Sequence, residues 1–186
     1  MLIYLIRHGE TPWNKMSRIQ GRENIALSEE GLEQAARCAD AFRDRPLAAV
    51  LTSPLARAVQ TAELVAAAAA APVITEEALI ERDYGSASGK VIDIFHPERY
   101  ADDMEPLETV AARMIRALRA HGDALQADFA AVSHGGSINA VLRELSGGEY
   151  GSGKTRLKNA CVNVLRYEGG TLTVLAYNRD AGELAL

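Results

Sequence analysis

The sequence predicts an α/β protein: a three-layer α/β/α sandwich whose central sheet is mostly parallel and ends in an antiparallel edge strand. Three observations carry this. Unbroken apolar runs at residues 2–6 and 129–132 suit strands covered on both faces. These runs alternate with stretches of helical periodicity, as parallel strands joined by crossover helices require. The last two strand-like segments, 160–167 and 171–177, flank Glu168-Gly169-Gly170, a hairpin signal that makes the edge antiparallel.

Taken in order, residues 2–6 form a strand that stops at Arg7-His8-Gly9, where Gly9 is expected to let the backbone turn sharply beside a ligand. A polar loop then runs from Pro12 to Leu27. Ser28 caps a helix with Glu29 and Glu30 in its first turn and an apolar stripe of Leu32, Ala35, Ala36, Ala39 and Phe42, ending before Pro46. Residues 48–52 read as a second buried strand. Ser53-Pro54, a cap followed by proline at the first helical position, opens a helix to about residue 70, and the alanine run at 66–71 suits its end. Residues 73–75 are a short strand, followed by a glycine-punctuated turn at 85–89 and an irregular stretch at 91–105. Residues 106–121 form an amphipathic helix with Val110, Met114, Ile115 and Leu118 on one side. A third buried strand at 129–133 ends in His134-Gly135-Gly136, and a helix over 137–145 follows.

The 186 residues fit one domain, and an apolar fraction of 48% with 24% charged residues is that of a globular protein. A net charge of −5 argues against a general nucleic-acid or anionic-membrane binder while allowing a local basic pocket. The two cysteines, Cys38 and Cys161, have no zinc-type or disulfide spacing and are expected as core thiols. The chain moves directly into strand-like sequence without a basic start, and no apolar run approaches the ~18 residues of a membrane span. A cytoplasmic protein with neither membrane nor nucleic-acid partner is expected, and monomer and homodimer both stay open.

The chemistry lies at strand ends. Arg7 and His8 follow the first strand, Arg57 lies one helical turn beyond the second, and His134 follows the third. Parallel strands point these ends one way, so the four meet in a cationic pocket suited to a phosphate dianion, helped by the amino ends of the following helices. Phosphoryl transfer asks for in-line positioning and positive charge around the equatorial oxygens, which Arg7, Arg57 and His134 would supply with Asn14 as a neutral donor. No metal and no cofactor is called for. Residues 15–26 and 83–105 are expected along the leaving-group side. Trp13, Tyr84, Phe95 and Tyr100 fill core or stack on a substrate ring, and His96 and His121 read as surface residues without partners.

These residues also carry a resemblance. Residues 5–11, Leu-Ile-Arg-His-Gly-Glu-Thr, with Trp13-Asn14, Gln20-Gly21-Arg22, Leu27-Ser28 and Gly31, resemble the opening of the histidine phosphatase superfamily, the phosphoglycerate mutase-like proteins. Residues 53–58, Ser-Pro-Leu-Ala-Arg-Ala, with Gln60-Thr61-Ala62 resemble its second motif. Leu79, Glu81, Gly85 and Gly89 resemble its acidic segment, and residues 132–136 its last motif. The resemblance spans nearly the whole chain in order. It implies that His8 is a nucleophile forming a phosphohistidine, with its other ring nitrogen held by an acceptor such as a backbone carbonyl. It implies Glu81 as proton donor to the leaving alkoxide and then as base toward water, with Asp83 and Glu77 as rivals. Gln20, Gly21, Tyr84 and Gly135 join Asn14 as implied contacts to a small-molecule phosphate ester. Ala87-Ser88 depart from the tryptophan and glutamate common before the second glycine of the acidic motif. Met104-Glu105-Pro106 stands where glycine-glutamate-serine is frequent, with Arg113 following.

The expected activity is a metal-independent phosphatase. A mutase-type transfer is the alternative, with Tyr84 and Lys90 resembling its substrate contacts, although residues 91–105 hold only Arg99 where paired arginines would be needed. A noncatalytic phosphate-binding protein is a third reading, distinguished by whether function survives His8→Ala. Residues 148–155, Gly-Glu-Tyr-Gly-Ser-Gly-Lys-Thr, match the nucleotide-binding P-loop letter for letter, but they follow a helix and precede a strand, the reverse of the required context.

Overall fold

A computed structural model describes residues 1–183 apart from 92 and 94, so part of the irregular 91–105 stretch lies outside the described residues. Six strands form one sheet: β1 (Leu2–Arg7), β2 (Val50–Thr52), β3 (Val73–Thr75), β4 (Phe129–Ser133), β5 (Val162–Glu168) and β6 (Thr171–Arg179), in the order β3-β2-β4-β1-β5-β6. The first four run parallel, and the β5–β6 hairpin adds the antiparallel edge, its turn made by Gly169 and Gly170 with φ of 52° and 83°. Both glycines occupy the left-handed region that such a two-residue turn demands.

Two helices cover each face, and alternation along the strands feeds two separate cores. Ile3, Leu5, Leu51, Phe129 and Ala131 point toward α4 (Leu107–Leu125) and α5 (Gly135–Leu145). Tyr4, Ile6, Val50, Ala130 and Val132 point toward α2 (Glu29–Asp40) and α3 (Ala56–Ala69). A short α1 (Pro12–Lys15) is closed by a reciprocal capping box between Thr11 and Asn14. The unbroken apolar strands are thus explained by burial on both faces.

Several local expectations are corrected. The α2 stripe is carried by Gly31, Ala35, Cys38 and Ala39, while Leu32 and Ala36 are exposed. Helix α3 begins at Ala56 rather than Pro54, with Leu55 as its N-cap residue, and α5 begins at Gly135 rather than Ser137. Gly9 serves close approach rather than a turn: a Cβ there would stand 2.3 Å from the Gly31 carbonyl oxygen. His121 has a partner, its Nε2 lying 2.9 Å from Glu76 Oε2. No helix among the described residues is long and apolar enough to cross a membrane.

Strand β4 pairs with β1 on one side and β2 on the other, with Ser133 opposite Arg7 and Val132 opposite Thr52. The residues that follow each strand, His8, Ser53 and His134, therefore emerge side by side at one sheet edge.

Candidate active site

At that edge the His8 and His134 rings stand 5.1 Å apart, centroid to centroid. A cavity of about 880 Å³ opens over them, lined by Arg7, His8, Asn14, Gln20, Gly21, Arg57, Glu81, Tyr84 and Gly135. The residues expected from four separate motifs are thus gathered. His134 lies fully buried behind the cavity wall, and the rival carboxylates Asp83 and Glu77 are absent from its lining.

His8 is only 2% exposed, and its Nδ1 lies 2.6 Å from the Gly9 carbonyl oxygen. A carbonyl only accepts, so Nδ1 carries the proton and Nε2 keeps its lone pair. Burial, and then the charges of Arg57 and Arg7, hold the ring well below the ordinary histidine value, so it is neutral at pH 7.

His134 is fixed by the same logic. Arg57 Nε donates to its Nδ1 at 3.2 Å, so the proton sits on Nε2, which donates to Ser53 Oγ at 2.7 Å. Burial first, then Arg57, His8 and Arg7, keep this ring neutral as well. The sequence places His134 among the positive groups; the structure shows instead a neutral ring that orients the Arg57 guanidinium. Ser53, read from sequence as a helix cap, is its partner.

Arg57 also donates to the carbonyls of Glu23 at 2.6 Å and Gly21 at 2.8 Å, so three of its five N–H groups are committed and two are free for an anion. Arg7 donates to the Leu157 carbonyl, while its buried Nε has no partner. An orphaned cationic donor beside His8 is costly unless a ligand completes it. Asn14 accepts from Thr11 N–H through Oδ1 at 3.0 Å, which leaves its amide nitrogen to the cavity. Gln20 accepts from Thr11 Oγ1 at 2.9 Å.

The amino end of α5 does not serve the phosphate site in the way the sequence suggests. Glu81 occupies it: Oε1 accepts from Ser137 N–H at 2.9 Å, Ser137 Oγ at 3.0 Å and its neighbour Arg82 N–H at 2.8 Å, and Oε2 accepts from Gly136 N–H at 3.2 Å. Among the described residues, Gly136, Ser137 and Ile138 N–H have protein acceptors and Gly135 N–H has none. The Glu81 carbonyl is gripped from outside by Arg113 at 3.3 Å and Arg22 at 3.4 Å. Glu105 holds both arginines, Arg113 through paired bonds of 2.9 and 3.1 Å and Arg22 at 3.2 Å. The sequence alone gives no sign that Ser137 and this network belong to the site, beyond Arg113 following Glu105.

Tyr84 lies under the Arg82 guanidinium, 5.3 Å from its ring, and burial, followed by Glu81, raises its hydroxyl above the usual range. Tyr100 is solvent-exposed, Trp13 is covered by Arg18, and Phe95 lines the cavity. The P-loop-like residues form turns between α5 and β5, and Lys154 donates to the Gly148 carbonyl at 2.6 Å, so no strand-loop-helix cradle exists there.

Comparison with known proteins agrees with this geometry. The sequence model of the histidine phosphatase superfamily (branch 1) matches residues 3–180. The chain is 34% identical over 181 residues to the uncharacterized phosphatase PhoE of Bacillus subtilis, covering 95% of this chain and 93% of that protein. It is 29% identical to the probable phosphoglycerate mutase GpmB of Proteus mirabilis, across 89% of this chain and 85% of the relative. The solved structure of Bacillus stearothermophilus YhfR superposes with a TM-score of 0.84 at 27% identity, covering 95% of this chain and 96% of that one. With a matched model across almost its whole length and a full-length relative above 30% identity, the chain belongs to the histidine phosphatase superfamily.

Proposed function

We propose that the protein hydrolyses a small-molecule phosphomonoester through a phosphohistidine on His8, with Glu81 as general acid and then general base. The tautomer of His8 carries this reading: Nδ1–H is tied to the Gly9 carbonyl, so Nε2 is unprotonated in a pocket with two guanidiniums. In the first step the Nε2 lone pair forms an N–P bond while the ester P–O bond breaks. The departing alkoxide takes a proton from Glu81. In the second step the Glu81 carboxylate removes a proton from water, whose oxygen attacks phosphorus, and the N–P electrons return to Nε2. Oε2, which accepts one hydrogen bond against three at Oε1, is the oxygen suited to carry that proton. Arg7 and Arg57 supply the charge that loose phosphoryl transfer needs, so the reading assigns no metal.

Hydrolysis is favoured over mutase transfer because Tyr84 lines the cavity whereas Lys90, the second residue resembling a mutase contact, does not. Release of free phosphate, measured against exchange between phosphate-ester isomers, separates the two. Glu81→Gln tests the acid role: turnover of an alkyl phosphate should fall about a hundredfold, while an activated aryl phosphate, whose leaving group needs no proton, loses far less in the phosphorylation step. Equal losses in that step, read by burst kinetics, would remove Glu81 from it.

A further inference from the structure

The tautomer of His8 depends on one peptide unit, and that unit is held at both ends. The Gly9 carbonyl that accepts from His8 Nδ1 at 2.6 Å belongs to the same amide as the Glu10 N–H, which donates to Gln34 Oε1 at 3.0 Å. Gln34 is a half-buried residue on the second turn of α2, and its amide nitrogen faces Glu30 Oε1 at 3.5 Å, so the oxygen is the end turned toward Glu10. The Gln34 amide, the Gly9–Glu10 amide and the imidazole therefore run in series and end at Nε2. Hydrogen bonds in series polarise one another: an acceptor on the N–H side moves electron density onto the carbonyl oxygen, strengthening each bond by roughly 10–30%.

The backbone around this amide has little slack. Gly9 N–H donates to Thr61 Oγ1 at 3.2 Å, and Thr61 donates onward to the Arg57 carbonyl at 2.8 Å. The Glu10 carbonyl accepts from Ser28 N–H at 2.9 Å. Gly31, three residues before Gln34, is what lets α2 approach: a Cβ there would stand only 2.9 Å from the Glu10 nitrogen. The bond to the Gly9 carbonyl also gains weight as the reaction proceeds. When Nε2 gives its lone pair to phosphorus the ring becomes more positive, which burial, Arg57 and Arg7 all oppose and the Gly9 carbonyl favours.

We infer that Gln34 is a positioning residue for the nucleophile: acting through the Gly9–Glu10 amide, it holds and strengthens the carbonyl that keeps the proton on His8 Nδ1 and the lone pair on Nε2. Its role in turnover rests on the phosphohistidine reading of the same site. The hydrogen bonds that set the ring are a property of the resting protein and are open to measurement without any substrate.

The test replaces Gln34 by methionine, which keeps side-chain length and helix propensity but lacks the acceptor oxygen, and by glutamate, which retains it. For Gln34→Met, kcat/KM should fall about three- to tenfold on alkyl and activated aryl phosphates alike, because both need the nucleophile. Inhibition by inorganic phosphate, which reads the two guanidiniums, should change by less than about twofold. Gln34→Glu should recover most of the loss. Imidazole NMR on isotopically labelled protein supplies a readout that general loosening of the fold would not give: the His8 Nδ1–H resonance should move upfield in Gln34→Met, as its bond weakens, and downfield in Gln34→Glu, whose charged acceptor is stronger. That second shift decides the matter if the methionine variant fails to fold. An Nδ1–H resonance that moves in neither variant, an unchanged kcat/KM in Gln34→Met, or a loss that Gln34→Glu does not recover overturns the inference. If the unaltered protein turns over no phosphate ester, the phosphatase reading fails alone, and the resonance shifts still test the hold of Gln34 on His8.

Discussion

Gly136→Ala separates stability from catalysis in a way the structure makes quantitative. Gly136 sits in the first turn of α5 with an ordinary backbone, so alanine should favour the helix by about 1 kcal/mol. Its Cβ, however, would stand 2.4 Å from Tyr84 Oη and 2.9 Å from Glu81 Oε1. Reaching ordinary contact at 3.4 Å requires the hydroxyl to recede by about 1 Å and the carboxylate oxygen by about half that. Such crowding costs about 1–3 kcal/mol and is offset by the helix gain, so net destabilisation should stay between about 0 and 2 kcal/mol. A misplacement of about 1 Å costs about a hundredfold in rate, so the half-ångström shift of the Glu81 carboxylate should cost about tenfold. Urea unfolding together with kcat/KM on an alkyl phosphate provides the assay, and an aryl phosphate with a good leaving group should be less affected. Unchanged alkyl phosphate turnover in a folded Gly136→Ala protein would refute the claim that the α5 amino end holds Glu81 in its working position.

Three other outcomes follow from the same contacts. His8 and His134 are buried neutral, with pKa values held well below the 6.5 of a free imidazole, so the unfolded state binds more protons once pH falls below that value. Stability is then full above it and is lost as pH drops; two histidines that stay unprotonated in the folded state give at most about 3 kcal/mol less unfolding free energy at pH 5.5 than at pH 7.5. A flat urea-unfolding profile across that window contradicts the assigned neutrality. Glu105→Gln breaks a pair whose members are 11% and 13% exposed, which should cost about 3 kcal/mol and lower Tm by roughly 10 °C, and a calorimetric shift below about 3 °C argues against its anchoring role. Replacing Ser53 by alanine leaves the His134 Nε2–H unsatisfied at zero exposure, a loss of about 1–2 kcal/mol in the same unfolding assay, and no loss would place that proton elsewhere.

Burial on both faces made the central strands readable, because a strand covered twice needs no alternation and leaves unbroken runs such as Ile3-Tyr4-Leu5-Ile6. The convergence of Arg7, His8, Arg57 and His134 followed from strand direction alone, since parallel neighbours end on one edge. Helix boundaries were less legible. Ser53-Pro54 has the letters of a cap, but the Ser53 hydroxyl meets a histidine 81 positions away, a demand invisible to local sequence. Leu32 fits a wide apolar stripe by spacing alone, but the stripe α2 buries is narrower and runs through Cys38 and Gly31, where a Cβ would meet the Glu10 carbonyl at 1.9 Å.

Charge was the least legible property. Counting nitrogen-rich residues makes His134 a cation, yet a ring whose Nδ1 accepts from a guanidinium and whose surroundings are fully buried cannot easily take a second proton. The same accounting assigns the amino end of α5 to phosphate, whereas two of its N–H groups hold the Glu81 carboxylate. The division has a chemical logic. Guanidiniums keep their charge at any working pH and can face a dianion permanently. A helix amino end gives only partial charge, enough to fix the position and orientation of a carboxylate that, in the mechanism we propose, trades a proton during each turnover. In the proposed mechanism fixed charge therefore binds the phosphoryl group and partial charge steadies the acid–base group, which is why removing the α5 contact to Glu81 should affect leaving-group protonation before it affects phosphate binding.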